Sequence, residues 1–245
     1  MEVSKKIVFI KDWILNYVNS MPKKAESLVI GISGGIDSSV SSTLSAMTGL
    51  KTIAISMPIK QKSIQHNLSL KHQDWLKNNF KNVSGVTIEL DDLFNTFEKT
   101  LSNFNNEHGM ANSRARLRMS TLYQVAASNN GIVVGTGNKV EDFGVGFYTK
   151  YGDGGVDISP IADCNKTEIW ELGKELNILK EIIEAPPTDG LWDDGRTDEG
   201  QLGLTYKELE EAMMNENSIN REKYIKIRNT NLHKMNPIPV CKIPK

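Results

Sequence analysis

The sequence predicts an α/β protein in which a mostly parallel sheet lies between two layers of helices. Four short apolar runs, at residues 28–32, 52–57, 86–90 and 132–136, are separated by stretches whose apolar residues recur at three- and four-residue steps. Strands that alternate with helices are joined by right-handed crossovers, which build a parallel sheet covered on both faces. The glycine-rich and polar motifs fall just after those runs, at the carboxyl ends of the strands, where open α/β sheets bind ligands.

Taken in order, residues 4–19 put Ile7, Ile10, Ile14 and Tyr17 on one helical face that ends near Pro22. The first strand, 28–32, runs into Gly31-Ile32-Ser33-Gly34-Gly35-Ile36-Asp37-Ser38-Ser39. Val40, Leu44 and Met47 then return at helical spacing as far as Gly49, which suits a helix C-terminus. A second strand, 52–57, stops at Pro58, and Leu68, Trp75, Leu76 and Phe80 mark the next helix. After a strand at 86–90 come a helix carrying Leu93, Phe94, Phe97 and Leu101, a helix over 112–128 and a strand at 132–136. Beyond residue 160 the strand signal fades. Helices at 167–176 and 205–214 flank a Pro/Gly/Asp-rich loop, 186–203, whose length and composition suit a ligand loop.

With 245 residues, 39 % of them apolar and 24 % charged, the chain can bury a large core, and a net charge of −1 offers no global attraction to nucleic acid or a membrane surface. Anionic substrates must be held by locally placed cations. Cys164 and Cys241 show no CxxC spacing, which argues against a zinc site or a disulfide framework. No apolar run approaches the roughly 18 residues that span a bilayer. The expectation is a single-domain cytoplasmic protein over residues 1–245 with no membrane or nucleic-acid partner.

In the first motif, Gly34 and Gly35 let the backbone approach a ligand closely, and the first amides of the following helix point toward whatever anion sits there. The loop lacks the lysine of the commoner Gly-x4-Gly-Lys-Ser/Thr phosphate loop. Ser33-Gly-Gly-x-Asp37-Ser38 instead resembles the pyrophosphate loop of the ATP pyrophosphatases. On a helical wheel Arg116 falls beside the apolar face of Met119, Leu122, Tyr123 and Ala126, with Arg114 and Arg118 opposite, so Arg116 is the arginine expected to meet an anionic partner. Glu141, after the turn at Thr136, pairs with Asp37 as two hard oxygen ligands of a size suited to magnesium on ATP phosphates. In residues 146–157, Phe147, Tyr148 and Tyr151 offer a stacking surface, Lys150 a cation, and Asp153 and Asp157 acceptors for ribose hydroxyls or amines. Lys166, Thr188 and the pair His233-Lys234 draw their meaning only from context.

Together these motifs make the chain similar to the ammonia-dependent NAD synthetases. The likeness runs through the glycine loop, Asn112-x3-Arg116-x-Arg118-Met119, Thr136-x4-Glu141, the 146–155 stretch, Pro160 with Lys166, Pro187-Thr188, Asp198-Glu199-x3-Gly203-x2-Tyr206 and His233-Lys234. It implies a Rossmann-like three-layer α/β/α fold of the adenine nucleotide alpha hydrolase kind and, in 245 residues, no glutaminase domain. It implies ATP contacts from Gly31, Ser33, Gly34, Gly35, Asp37, Ser38, Ser39, Met57, Thr136, Lys166 and Thr188, with Asp37 and Glu141 on Mg²⁺. Deamido-NAD contacts carry over to Arg116, Phe147, Lys150, Asp153, Asp157, His233 and Lys234, some across a homodimer interface. The implied reaction joins ammonia to deamido-NAD through an acyl adenylate, releasing AMP and pyrophosphate. It needs no protein nucleophile, only charge stabilisation by groups such as Lys166. One departure is plain: the turn reads Gly137-Asn138-Lys139, where many bacterial members carry Asp-His. The alternatives are another ATP pyrophosphatase, of the GMP synthetase or tRNA-modifying kind, and a nucleotide-binding module without turnover.

Overall fold

A computed structural model describes residues 1–61, 63–188, 190–191 and 196–244. The strands β1 (Ser27–Gly31), β2 (Lys51–Ser56), β3 (Val83–Thr87) and β4 (Gly131–Val133) form one all-parallel sheet in the order β3-β2-β1-β4. Leu28 stands opposite Thr52 on one side and Ile132 on the other. Because side chains alternate along a strand, Leu28, Ile30, Ala54, Ile132 and Val134 enter one hydrophobic cluster, while Val29, Ile53, Ile55 and Val133 enter another.

The first cluster is closed by α1 (Val3–Ser20), α2 (Ile36–Met47), α3 (Ser63–Asn79), α6 (Lys166–Glu175) and α7 (Lys180–Ile183). The second is closed by α4 (Asp91–Thr100) and α5 (Glu107–Ser128). The predicted three-layer α/β/α arrangement is therefore the one observed. Each fully buried Leu or Ile along β1 contributes roughly 1.5–3 kcal/mol, which is why the central strands are the most legible part of the chain. Gly49 takes φ +78° just after α2, as a helix-ending glycine should.

Several boundaries differ from the sequence reading, each for a local reason. β3 starts at Val83 because it is an edge strand, partly exposed, whose limits follow its ladder with β2 from the Thr52–Val83 pair rather than its own apolar content. The Ile88 amide still reaches Ser56 O at 2.9 Å. α5 starts before residue 112 because the Asn106 side chain accepts from the Gly109 amide at 2.8 Å and caps the helix. β4 ends early because the Gly135 amide turns to Ile158 O, 2.7 Å away. α3 buries Ser69, His72 and Gln73 beside Leu76, and Gln73 Nε2 ties the helix to Ala54 O and Val86 O, both at 2.9 Å.

A third cluster sits past the end of β4 and was not anticipated. It joins a π-helical turn at Lys139–Val145 to α9 (Tyr206–Met214) and α10 (Arg221–Met235). Within the expected ligand loop, Asp198–Leu202 forms a short helix, α8; positions 189 and 192–195 lie outside the described residues. No helix among the described residues is long and apolar enough to cross a membrane.

Candidate active site at the carboxyl ends of the strands

β1 delivers the chain into the glycine loop. At Gly34 φ is +90°, and a Cβ there would meet Gln65 O at 2.6 Å and Ser69 N at 2.9 Å on α3, so backbone packing leaves room for glycine alone. Gly35 precedes the first turn of α2 in an extended conformation. Its amide donates to Ser33 Oγ at 3.2 Å, and its carbonyl accepts from the Ser38 and Ser39 hydroxyls at 3.0 and 2.9 Å. The positive end of α2 thus opens on the loop, the condition for holding phosphate.

Beside the loop lies a buried ion cluster. Lys166 opens α6 behind Asn165, whose side chain shares a capping box with Glu168. Only 2 % exposed, Lys166 places Nζ 2.6 Å from Asp37 Oδ2 and 2.8 Å from Glu141 Oε1. Asn138, fully buried, joins the two carboxylates from the backbone side. Its Nδ2 donates to Asp37 Oδ1 at 3.0 Å, and its Oδ1 accepts the amides of Val140 and Glu141, each at 3.0 Å. The Tyr206 hydroxyl donates to Glu141 Oε1 at 2.5 Å.

Burial pushes the Asp37 carboxyl above its ordinary range, and the nearby Glu141 charge adds to this against the pull of Lys166. Burial pushes Glu141 up as well, but Lys166 and the hydrogen bonds it receives outweigh this and hold it low. Lys166 is penalised by burial yet held charged by the two carboxylates. Two hard carboxylate oxygens converging on one cationic nitrogen fit a magnesium ion that takes its remaining ligands from phosphate and water. Among the described residues no group of three or more His, Cys, Asp or Glu forms a closed metal cage.

The loop and the ion cluster face a cavity of about 570 Å³, within the ~300–1,000 Å³ usual for small-molecule sites. Of the predicted ATP contacts, Gly31, Ser33, Gly34, Gly35, Asp37, Ser38, Met57, Thr136, Lys166 and Thr188 line it, whereas Ser39 is turned into the fold. Glu141, Phe147 and Asp153 line it too, while Arg116, Lys150, Asp157, His233 and Lys234 lie off its described walls. Asp153 opens onto the cavity, and the protein packed around it raises its carboxyl to about 6.

Asp157 is occupied by the fold: Oδ2 accepts the Val133 amide at 2.7 Å and Oδ1 the Tyr123 hydroxyl at 3.1 Å. Lys150 Nζ and Lys234 Nζ close the 147–151 segment against the end of α10 by donating to His233 O at 3.2 Å and Tyr148 O at 2.9 Å.

The structure places the arginines of α5 differently from the helical wheel. Arg116 is exposed and donates to Lys150 O at 3.3 Å, while Arg114 is buried with its guanidinium 5.0 Å from the Phe94 ring centre. Arg118 lines the cavity and donates to Met57 O at 2.9 Å. Met119 to Ala126 set the apolar face of the second half of α5, but the first half packs through Met110, Ala111 and Ala115, and the small alanines bring Arg114 to α4.

Three residues at the ion cluster or the cavity wall escaped the sequence reading. Tyr206 was quoted only within a motif. Asn138 was seen as a turn residue. Asp142 was passed over, although its carboxylate occupies the space a side chain at 137 would need: a Cβ on Gly137 would lie 1.9 Å from Asp142 Oδ2. The Gly137-Asn138 departure thus has a physical reason, because Gly137 leaves room for Asp142 and Asn138 bridges Asp37 to the π-helical turn.

A parallel sheet with a glycine loop at a helix N-terminus and a buried carboxylate–lysine cluster at the strand ends defines a nucleotide-using α/β enzyme. Residues 6–241 match the family described as NAD synthase, and the chain belongs to that family. It is 38 % identical over 224 residues to the NH(3)-dependent NAD(+) synthetase of Alkaliphilus oremlandii, covering 86 % of this chain and 85 % of the relative. The structure of NMN synthetase from Francisella tularensis superposes with a TM-score of 0.90 at 31 % identity, covering 99 % of this chain and 100 % of that one. The NH3-dependent NAD synthetase from Campylobacter jejuni, in complex with nitrate, gives 0.78 at 26 % identity, covering 99 % and 100 %.

Proposed function

We propose that this chain is a ligase that amidates the nicotinate carboxylate of deamido-NAD with ammonia, consuming ATP and releasing AMP and pyrophosphate through an acyl adenylate. The observation that carries the reading is Lys166 held between Asp37 and Glu141 beside the glycine loop, in a chain that belongs to the NAD synthase family. The loop amides and the α2 N-terminus receive the phosphates that leave as pyrophosphate, with Thr188 donating a hydrogen bond and Lys166 supplying positive charge. Asp37 and Glu141 hold Mg²⁺, which neutralises phosphate charge when bound. Phe147 and Asp153 hold the dinucleotide acid in the cavity, and Arg116, Lys150, His233 and Lys234 act at its rim, some across a homodimer interface. Asp157, which also fixes the end of β4 through the Val133 amide, contacts the dinucleotide acid from the rim. The protein works in the cytoplasm as a single domain that uses free ammonia and binds neither nucleic acid nor membrane.

The test is incubation with deamido-NAD, ATP and Mg²⁺, comparing ammonium with glutamine. NAD and AMP should form with ammonium, and strong activity with glutamine alone would refute the nitrogen source. Asp37→Ala should abolish pyrophosphate release.

One observation favours a second reading: the Francisella tularensis structure at TM-score 0.90 is named an NMN synthetase. Nicotinate mononucleotide presents the same carboxylate without the adenylate half. A kcat/KM for the mononucleotide acid above that for deamido-NAD would make it the substrate.

A further inference from the structure

The Asp198-to-Tyr206 run is the one motif of the sequence to which the proposed chemistry gives no role. Tyr206 is 1 % exposed and ranks with the largest fully buried side chains of the protein. Its place is set from three directions. The Thr205–Glu208 capping box fixes the start of α9, Glu199 Oε1 accepts the Tyr206 amide at 2.9 Å, and the Trp170 ring packs edge-on with centroids 5.9 Å apart. A residue held so firmly can impose its position on its neighbours.

What it touches is the ion cluster. The hydroxyl donates to Glu141 Oε1 at 2.5 Å, the same oxygen that receives Lys166, and the Lys166 ammonium lies 4.9 Å from the ring centre. A second carboxylate oxygen, Asp198 Oδ2, stands 3.2 Å from the phenol oxygen. A phenol carries one proton, which is shared unequally between the two carboxylates, the shorter contact to Glu141 taking the larger part. The Asp198 amide in turn donates to Pro187 O at 3.1 Å, tying together the two ends of the segment that contains Thr188.

We propose that Tyr206 is a positioning residue for this site: its hydroxyl orients Glu141, its ring faces Lys166, and Asp198 links both to the base of the Thr188 loop. The inference rests on the reading of Asp37 and Glu141 as magnesium ligands. A side chain needed only for packing would have no use for the hydroxyl, because phenylalanine fills the same space. A group that orients a metal-binding carboxylate is commonly worth about ten- to a hundred-fold in metal affinity or activity.

The test compares the wild-type protein with Tyr206→Phe. Mn²⁺ binding is followed by electron paramagnetic resonance in the presence of α,β-methylene-ATP, so that no turnover is needed, and steady-state kinetics and melting are measured alongside. Tyr206→Phe should melt within about 3 °C of wild type, yet bind Mn²⁺ about ten-fold more weakly and lose a similar factor in kcat, with the KM for deamido-NAD unchanged. A phenylalanine variant with wild-type Mn²⁺ affinity and kcat overturns the proposal. Should it fail to fold, Asp198→Asn carries the test through the same hydroxyl: a weakened Mn²⁺ affinity supports the link, and an unchanged one overturns it. If the wild-type protein itself binds no Mn²⁺ with the nucleotide, the magnesium reading falls first and this inference falls with it.

Discussion

β1 meets its two helical layers through Leu28 and Ile30 on one face and Val29 on the other. α10 adds to the packing of Tyr224, Ile225 and Ile227 in the third cluster a set of polar side chains that donate to backbone carbonyls at the ends of other helical segments. Arg221 reaches Ala212 O at 2.6 Å, Lys223 reaches Gly203 O, Arg228 reaches Phe143 O and Gly144 O, and Asn231 reaches Val145 O at 2.9 Å. Carbonyls at a helix end lack partners within the helix, and cations are favoured there. Apolar alternation announces itself in one strand. A cation over a distant carbonyl has meaning only once both segments are placed, so a helix docked that way shows no amphipathic stripe.

Lys166 stands where the two regions meet, pairing Asp37 of α2 with Glu141 of the π-helical turn, and its loss should have the largest effect. Lys166→Met would leave two buried carboxylates without their cation, a loss of about 3–5 kcal/mol, together with loss of pyrophosphate release. Urea unfolding measures the first, and a stability within about 1 kcal/mol of wild type would show that the cluster is not a structural joint.

Within the sheet region, Leu28→Ala should cost ~2–5 kcal/mol by cavity formation, read from the same denaturation curves. A cost near that of a surface change would mean that β1 is not held by its buried apolar faces.

His72 gives that region a dependence on pH. Its ring is fully buried, with Nε2 2.9 Å from Ser42 Oγ, and burial lowers its pKa to about 4. The unfolded chain, with an ordinary pKa of about 6.5, takes up this proton first, so stability falls as pH drops from ~6.5 toward ~4, by on the order of 3 kcal/mol. The neutral variant His72→Gln should flatten that acid limb in melting scans. An acid limb as steep as that of wild type would mean that His72 does not titrate with unfolding.

The smallest effect is expected at the polar contact. Arg228→Ala removes the donor to Phe143 O and Gly144 O and should cost about 1–2 kcal/mol, with hydrogen exchange rising locally in the π-helical turn rather than in β1. Exchange that rises equally in both would mean that the two regions open as one unit.

The glycine loop and Asp37 were legible because they sit at a strand-to-helix boundary that local pattern reveals, whereas Glu141 gained meaning by pairing with Asp37, and Lys166 through the family resemblance. The wheel placed the arginines differently because Ala111 and Ala115, not the larger residues later in α5, decide which arginine is buried. α10 and the π-helical turn were missed because their stabilising bonds run to carbonyls some 9 to 86 positions away in sequence.

By itself the sequence determined the alternation of strand and helix, the glycines that the loop backbone requires, and the residue types that can hold phosphate and a divalent ion, because these depend on local conformation and side-chain chemistry. Only the tertiary structure decided which groups meet: Lys166 between Asp37 and Glu141, Tyr206 on Glu141, Asp157 at the end of β4, and Asp142 in the space left by Gly137. Those contacts join segments far apart in the chain, and their distances come into being when the two faces of the sheet bury their apolar side chains and bring the strand ends together.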